Sequence, residues 1–244
     1  VPDATDLATY VVNLRRRPDR RERMTAMLPS QLQATFTSDW EGRFDGHEIT
    51  RGDLAATGYQ LFPWRIESEN PWWSRPLKLG EIGCTLAHLA CWRHAAERRH
   101  EPLILILEDD AVLAPDFLEE FLGGLRQLGQ SEPNGFDLLY LGRYPVQPDQ
   151  PAGPGFVAPG YSHCTFSYLV TRRALGILLE TRLDQAIVPV DEFLPSLYVD
   201  HPRPDLRARF PRRLIALAFE PPLVHQLPKS EAGSDTEDSD FADW

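Results

Sequence analysis

Apolar positions along this chain switch repeatedly between a two-residue period and a helical period, which predicts strands alternating with helices. Residues 9–14 read as a first strand, and residues 15–24 lead into a helix whose first turn suits Pro18 and Asp19. Residues 34–38 form a second predicted strand and 39–43 a turn after it, while 50–75 is loop-like, with Pro63, Pro71 and the aromatic group Trp64, Trp72 and Trp73. That loop walls an acceptor site or simply packs over the core. Ile82, Leu86, Leu89 and Trp92 keep helical spacing, which predicts a core helix over 80–99.

The apolar run at residues 103–107 has no polar alternation, the pattern of a strand buried on both faces of a parallel sheet. It ends in Glu108, Asp109 and Asp110. Side chains alternate along a strand, so Glu108 and Asp110 should point to one side and Asp109 to the other. With Pro115 opening the next helix, the acids fall at the carboxyl end of a central strand, where open α/β sheets bind ligands. Hard oxygen ligands there suit Mg²⁺ or Mn²⁺, and a solvated strand-to-helix turn is the plain alternative. A nucleotide triphosphatase is excluded, since the chain has no Gly-x-x-x-x-Gly-Lys-[Ser/Thr] loop.

Further on, the pattern predicts a helix to about Leu128, a strand at 136–141 and a Pro/Gly loop at 144–159 that is either a mobile lid or a linker. A strand at 164–170 follows, then a helix capped by Thr171 that runs to about Arg182, two acids between prolines at Asp191 and Glu192, and a last strand at 214–219. The α/β class follows: a mostly parallel sheet with helices on both faces, in a single domain over 1–244. Residues 230–244 make an acidic C-terminal tail that composition predicts to be disordered, with Trp244 hinting at docking.

Composition narrows the functions. A net charge of -11 argues against nucleic acid as the main partner. The three cysteines form no Cys-x-x-Cys pair and no even disulfide set, so zinc fingers and a stapled secreted scaffold are excluded. On pattern alone His88 is a packed core histidine, and Cys84 and Cys91 are core thiols. No apolar run approaches the roughly 20 residues of a membrane helix, so no transmembrane segment is expected and a soluble chain is. Beginning at Val1 fits a domain taken from something longer. The arginines at 15–17 and 20–21 oppose the dipole at a helix N-terminus unless an anion, such as a phosphate, sits among them.

Taken together, Val12-Asn13-Leu14 with Arg17-Pro18-Asp19-Arg20-Arg21, Gly80-Glu81-Ile82-Gly83-Cys84 with His88, and Leu107-Glu108-Asp109-Asp110 resemble glycosyltransferase family 25. Tyr140-Leu141-Gly142, Pro189-Val190-Asp191-Glu192-Phe193-Leu194-Pro195 and Ser234-Asp235-Thr236-Glu237 continue the likeness in family order. That family contains lipooligosaccharide galactosyltransferases and collagen hydroxylysine galactosyltransferases, and the last two segments resemble the collagen-type branch. The resemblance implies a GT-A fold with a Rossmann-like sheet, a UDP-galactose donor, and Mn²⁺ (or Mg²⁺) bound by Asp110 with Asp109 or Glu108 assisting. It implies a nucleotide pocket built from Asn13, Leu14, Arg17, Arg20, Glu41, Gly80, Glu81 and His88. It also implies a further metal ligand near the C-terminus, His225 first and Asp235 second, and a base for an inverting transfer at Asp191 or Glu192.

Two positions depart from the family pattern: Trp40-Glu41-Gly42 where Ala-x-Asp-Gly is usual, and Leu79 where lysine is usual, with Lys78 one residue earlier. The expected acceptor is hydroxylysine of a collagen-like protein or a surface glycan such as lipooligosaccharide. The expected compartment is the secretory-pathway lumen for the first and the cytoplasm for a bacterial enzyme. A silent UDP-binding domain and a UDP-glucose enzyme are the alternatives.

Overall fold

The computed structural model describes residues 3–131 and 135–243. Its strands are β1 (Leu7–Val12), β2 (Ala34–Phe36), β3 (Leu103–Glu108), β4 (Ala111–Leu113), β5 (Leu138–Pro145), β6 (Gln150–Pro151), β7 (Phe156–Ala158), β8 (Ser162–Thr171), β9 (Ala216–Phe219) and β10 (Val224–Gln226). The helices are α1 (Pro18–Met27), α2 (Arg51–Thr57), α3 (Leu79–Arg98), α4 (Phe117–Ser131), α5 (Arg172–Glu180), α6 (Val190–Ser196), α7 (Pro204–Arg209) and α8 (Lys229–Ala232).

Eight strands form one sheet in the order β2-β1-β3-β8-β5-β9-β7-β6, and β4 pairs with β10 beside it. β1 lies parallel to β2 and β3, and β9 parallel to β5; β8 runs antiparallel between β3 and β5. Six strands therefore share one direction and only β7 and β8 oppose it, which gives the mostly parallel α/β architecture that the pattern predicts, consistent with the GT-A-like fold that the resemblance implies.

The two-residue period sorts the core. Tyr10, Ile104, Ile106, Tyr140 and Tyr168 face a cluster with Leu86 and Trp92 of α3 and Phe193 of α6. Val11, Leu105, Leu107, Leu139 and Leu169 face the opposite cluster, with Met24 of α1 and Phe117 and Phe121 of α4. Strands buried on both sides need apolar residues at every position, which is why β3 shows no polar alternation.

Several elements depart from the sequence pattern. Pro115 lies in the turn before α4, and the acids are followed by the short strand β4, which pairs with β10. Residues 144–159 are neither lid nor plain linker, because their ends join the sheet as the close of β5 and as β6 and β7. The loop-like stretch at 50–75 contains α2, where Thr50 and Asp53 form a reciprocal capping box. The acidic tail is ordered through its described residues: Ser239 is buried, Leu79 N donates to Asp240 O at 2.8 Å, and Ala242 N donates to Leu77 O at 2.8 Å. Composition under-reads this segment because its polar groups bond to the body of the domain instead of to water. Trp244 lies outside the described residues.

Candidate functional site

A cavity of about 340 Å³ opens at the carboxyl ends of β1 and β3, bounded by the start of α3, the start of α6 and the tail. β3 delivers its acids as alternation requires. Glu108 turns to the α3 side, where its Oε1 lies 3.3 Å from His88 Nε2 and 3.9 Å from Cys84 Sγ. Asp109 turns to the α1 side, where Asn13 Nδ2 donates to Oδ2 at 2.7 Å and Arg20 Nη1 to Oδ1 at 2.8 Å.

Asp110 follows the strand end. Gln226 Nε2 of β10 donates to its Oδ2 at 3.0 Å, while its Oδ1 is buried with no hydrogen-bond partner. Burial, then the neighbouring Glu108 and Asp109 charges, push the Asp110 carboxyl up to about 7. Burial likewise takes Glu108 to about 7 and Asp191 to about 6. The Thr165 hydroxyl of β8 lies 2.8 Å from Asp191 Oδ1 and 3.2 Å from Glu108 Oε1, which links the two acids across the cavity.

The helix α6 holds Asp191 and Glu192 in its first turn, but they are not equivalent. Neither caps the helix: Pro189 is the N-cap and makes no side-chain cap bond. Glu192 is buried under three donors, Tyr161 OH at 2.8 Å, His201 Nε2 at 2.7 Å and Trp73 Nε1 at 3.2 Å. Although burial opposes it, those hydrogen bonds hold Glu192 below the ordinary carboxylate range. Asp191 receives only the Thr165 hydroxyl among the described residues.

The arginines at the start of α1 do surround an anion, and it belongs to the protein. Asp235 accepts from Arg16 at 2.7 Å, Arg17 at 2.8 Å and Arg20 at 3.3 Å. Arg20 is buried and also donates to Ala232 O at 2.6 Å. A helix N-terminus crowded with cations is stable here because the tail carboxylate lies among them.

Other sequence-predicted residues separate into those at the cavity and those away from it. Asn13, Leu14, Arg20, Gly80, Glu81, Glu108, Asp109, Asp110, Asp191, Glu192 and Asp235 all line it. Gly80 does so with its N–H already donated to Ser239 Oγ at 2.8 Å, and a Cβ there would sit 2.7 Å from Thr236 Cα. Glu81 is engaged by Arg75 at 2.5 Å and by Lys78 N at 2.7 Å as a helix cap. His88 is fully buried behind Glu108, with Nδ1 2.7 Å from Tyr168 OH, and burial lowers its pKa to about 4, which keeps it neutral.

Four sequence-predicted residues do not line the cavity: His88 lies behind Glu108, Arg17 is paired with Asp19 and Asp235, and His225 and Glu41 stand away from it. His225 is exposed on β10, because its neighbour Gln226 takes the position facing Asp110 and alternation sends His225 away. Glu41 is exposed in the turn after β2 and does not line the cavity. In its place Phe44 and Gly46 line the wall, and buried Asp45 pairs with Arg16 at 2.5 Å. The signal was present as an Asp-Gly dipeptide, Asp45-Gly46, a few residues after Glu41-Gly42. Thr165 of β8, Gln226 of β10 and Lys229 of α8 were missed because isolated polar residues carry no pattern of their own.

The architecture and site define a member of a sugar-transferase family. A family model described as "Glycosyltransferase family 25 (LPS biosynthesis protein)" matches residues 6–134, just over half of the chain, and the chain belongs to that family. It is 34% identical over 241 residues to a human protein named "Inactive glycosyltransferase 25 family member 3", covering 94% of this chain and 39% of that protein. It is 33% identical over 222 residues to "Procollagen galactosyltransferase 1" of Danio rerio, covering 88% of this chain and 35% of that protein. A Drosophila melanogaster "Glycosyltransferase 25 family member" is 33% identical over 239 residues, covering 94% and 37%. The chain thus spans well under half the length of these relatives. Among the described residues no helix is long and apolar enough to cross a membrane.

Proposed function

We propose that this domain transfers galactose from UDP-galactose to a hydroxyl acceptor in a divalent-cation-dependent, inverting reaction. The observation that carries the reading is Asp110 Oδ1, a buried carboxylate oxygen without a protein partner, in a cavity at the carboxyl ends of β1 and β3. An orphaned acid oxygen fits a hard cation such as Mn²⁺ or Mg²⁺, so Asp110 is the residue that would hold it. Asp109 and Asp235 fit less well as direct ligands, since each carboxylate already has both oxygens on Asn13 or arginine nitrogens. When bound, the cation would supply neutralisation of charge on the leaving diphosphate.

The chain's own residues supply the rest. Arg20 and Lys229 line the cavity and offer positive charge to phosphate oxygens. Asn13 Oδ1, buried without a partner, offers an acceptor for a ribose hydroxyl or a base N–H. Asp191 takes the proton of the attacking acceptor hydroxyl; a carboxyl near 6 is ionised at neutral pH yet basic enough to receive it. Glu192, saturated by Tyr161, His201 and Trp73, positions the wall beside it. Likeness to procollagen galactosyltransferase 1 supports peptidyl hydroxylysine as the first acceptor to try, and the lipopolysaccharide description of the family model supports a surface glycan as the second.

A second reading, a silent UDP-binding domain, is favoured by the likeness to relatives named inactive. Transfer assays with UDP-galactose and UDP-glucose, with and without Mn²⁺, on a hydroxylysine peptide and a lipooligosaccharide core separate the two. Mn²⁺-dependent labelling of either acceptor from UDP-galactose supports the enzyme. Absence of labelling from both donors on both acceptors contradicts it.

A further inference from the structure

The geometry points to a second cation site, distinct in chemistry from the one at Asp110: a thiophilic site for Zn²⁺ or a similar borderline-soft divalent ion, formed by Cys84 Sγ, His88 Nε2 and Glu108 Oε1. These three ligand atoms lie within 4.8 Å of one another. Cys84 and His88 stand one turn apart on α3, so a single helix face presents both, and β3 supplies the carboxylate from across the sheet interface.

The distances favour coordination over direct hydrogen bonding. His88 Nε2 to Glu108 Oε1 is 3.3 Å, beyond the usual N–H···O range, and Cys84 Sγ to the same oxygen is 3.9 Å. Ligands about 2.0–2.3 Å from a tetrahedral Zn²⁺ stand roughly 3.3–3.6 Å apart along each edge. Of the three edges, His88–Glu108 matches, Cys84–Glu108 closes by a few tenths of an ångström, and Cys84–His88 lies within the 4.8 Å that the three atoms span.

His88 is also supported as metal-binding histidines are. Its Nδ1 lies 2.7 Å from Tyr168 OH, and Trp92 Nε1 donates to that hydroxyl at 3.0 Å. In the tautomer that donates Nδ1–H to Tyr168, Nε2 presents its lone pair to the space between Cys84 and Glu108. Coordination replaces the S–H bond with a sulfur–metal bond and releases the thiol proton to solvent. Three protein ligands leave a fourth position open towards the cavity, which both Cys84 and Glu108 line. Oxygen-selective Mn²⁺ and Mg²⁺ are poor partners for a thiolate, so the two sites would sort cations by softness.

The test is a titration of the reduced, metal-free chain with Co²⁺, a spectroscopic substitute for Zn²⁺, in wild type and in the Cys84→Ser and Asp110→Ala variants, each checked for folding by circular dichroism. The inference expects one equivalent of Co²⁺ to produce a thiolate-to-metal charge-transfer band that Zn²⁺ bleaches. It expects that band to persist in Asp110→Ala and to be lost in folded Cys84→Ser, with Zn²⁺ affinity falling at least tenfold. Absence of the band in wild type overturns the site, as does a band that survives Cys84→Ser. Failure of the Asp110 reading would appear separately, as Mn²⁺ affinity unchanged by Asp110→Ala.

Discussion

Asp235 and Arg17 stand 2.8 Å apart although 218 positions separate them, so the tail closes directly onto the first helix of the chain. Asp235→Ala removes the carboxylate that three arginines share and leaves each with one other acid: Arg16 with Asp45, Arg17 with Asp19 and Arg20 with Asp109. The expected loss is about 1–3 kcal/mol in urea unfolding, because the carboxylate is largely shielded from water. Inorganic pyrophosphate should raise the melting temperature of Asp235→Ala more than that of wild type, since it can replace the missing anion. An equal rise in both would show that the arginines do not form an anion site.

The two acids of α6 should separate by phenotype. Asp191→Asn keeps its one hydrogen bond from Thr165 and should leave stability within about 1 kcal/mol of wild type while lowering transfer at least a hundredfold, as loss of a general base does. Glu192→Gln disturbs a carboxylate held by Tyr161, His201 and Trp73, and should cost about 1–3 kcal/mol of stability. Equilibrium unfolding alongside transfer kinetics checks both.

Stability should depend on pH through Asp110. Its carboxyl is raised from 3.8 to about 7, so its contribution is fully present below its ordinary value and is lost as pH rises through the folded value. Without divalent cation, Asp110→Asn should be more stable than wild type by roughly 1–3 kcal/mol at pH 8, with the difference vanishing below pH 4. Mn²⁺ should reverse the order by stabilising wild type alone. Urea titrations across that range test the sign.

Of the three tryptophans in residues 50–75, Trp64 and Trp72 line the cavity, but Trp64 is buried with its Nε1 on Trp72 O and Trp73 donates to Glu192, whereas Trp72 is 44% exposed. Trp72→Ala should therefore raise the acceptor KM several-fold and leave UDP affinity unchanged. Equal losses in both would place Trp72 in the donor pocket.

Much of this site could be read along the chain because its residues sit where a period ends. Glu108, Asp109 and Asp110 interrupt an apolar run, and strand alternation alone sends Glu108 to α3 and Asp109 to Arg20. The arginines announced an anion through their conflict with the helix dipole, but its identity required contact between the two ends of the chain. The tail looked disordered because an acidic segment buries little apolar surface, whereas Asp235, Ser239 and the backbone at Asp240 are held by specific bonds that composition does not record. His225 stands away from the cavity for a reason of register: in a three-residue strand, one step of alternation gives the inward position to Gln226.

The central claim, that the cavity at Asp110 is a cation-dependent UDP site, is tested most directly by calorimetric titration of UDP into wild type and Asp110→Ala, each with Mn²⁺ and with chelator. The account predicts UDP binding that strengthens at least tenfold with Mn²⁺ in wild type and loses that gain in Asp110→Ala. UDP binding of equal strength in all four titrations, or none in any, would contradict it.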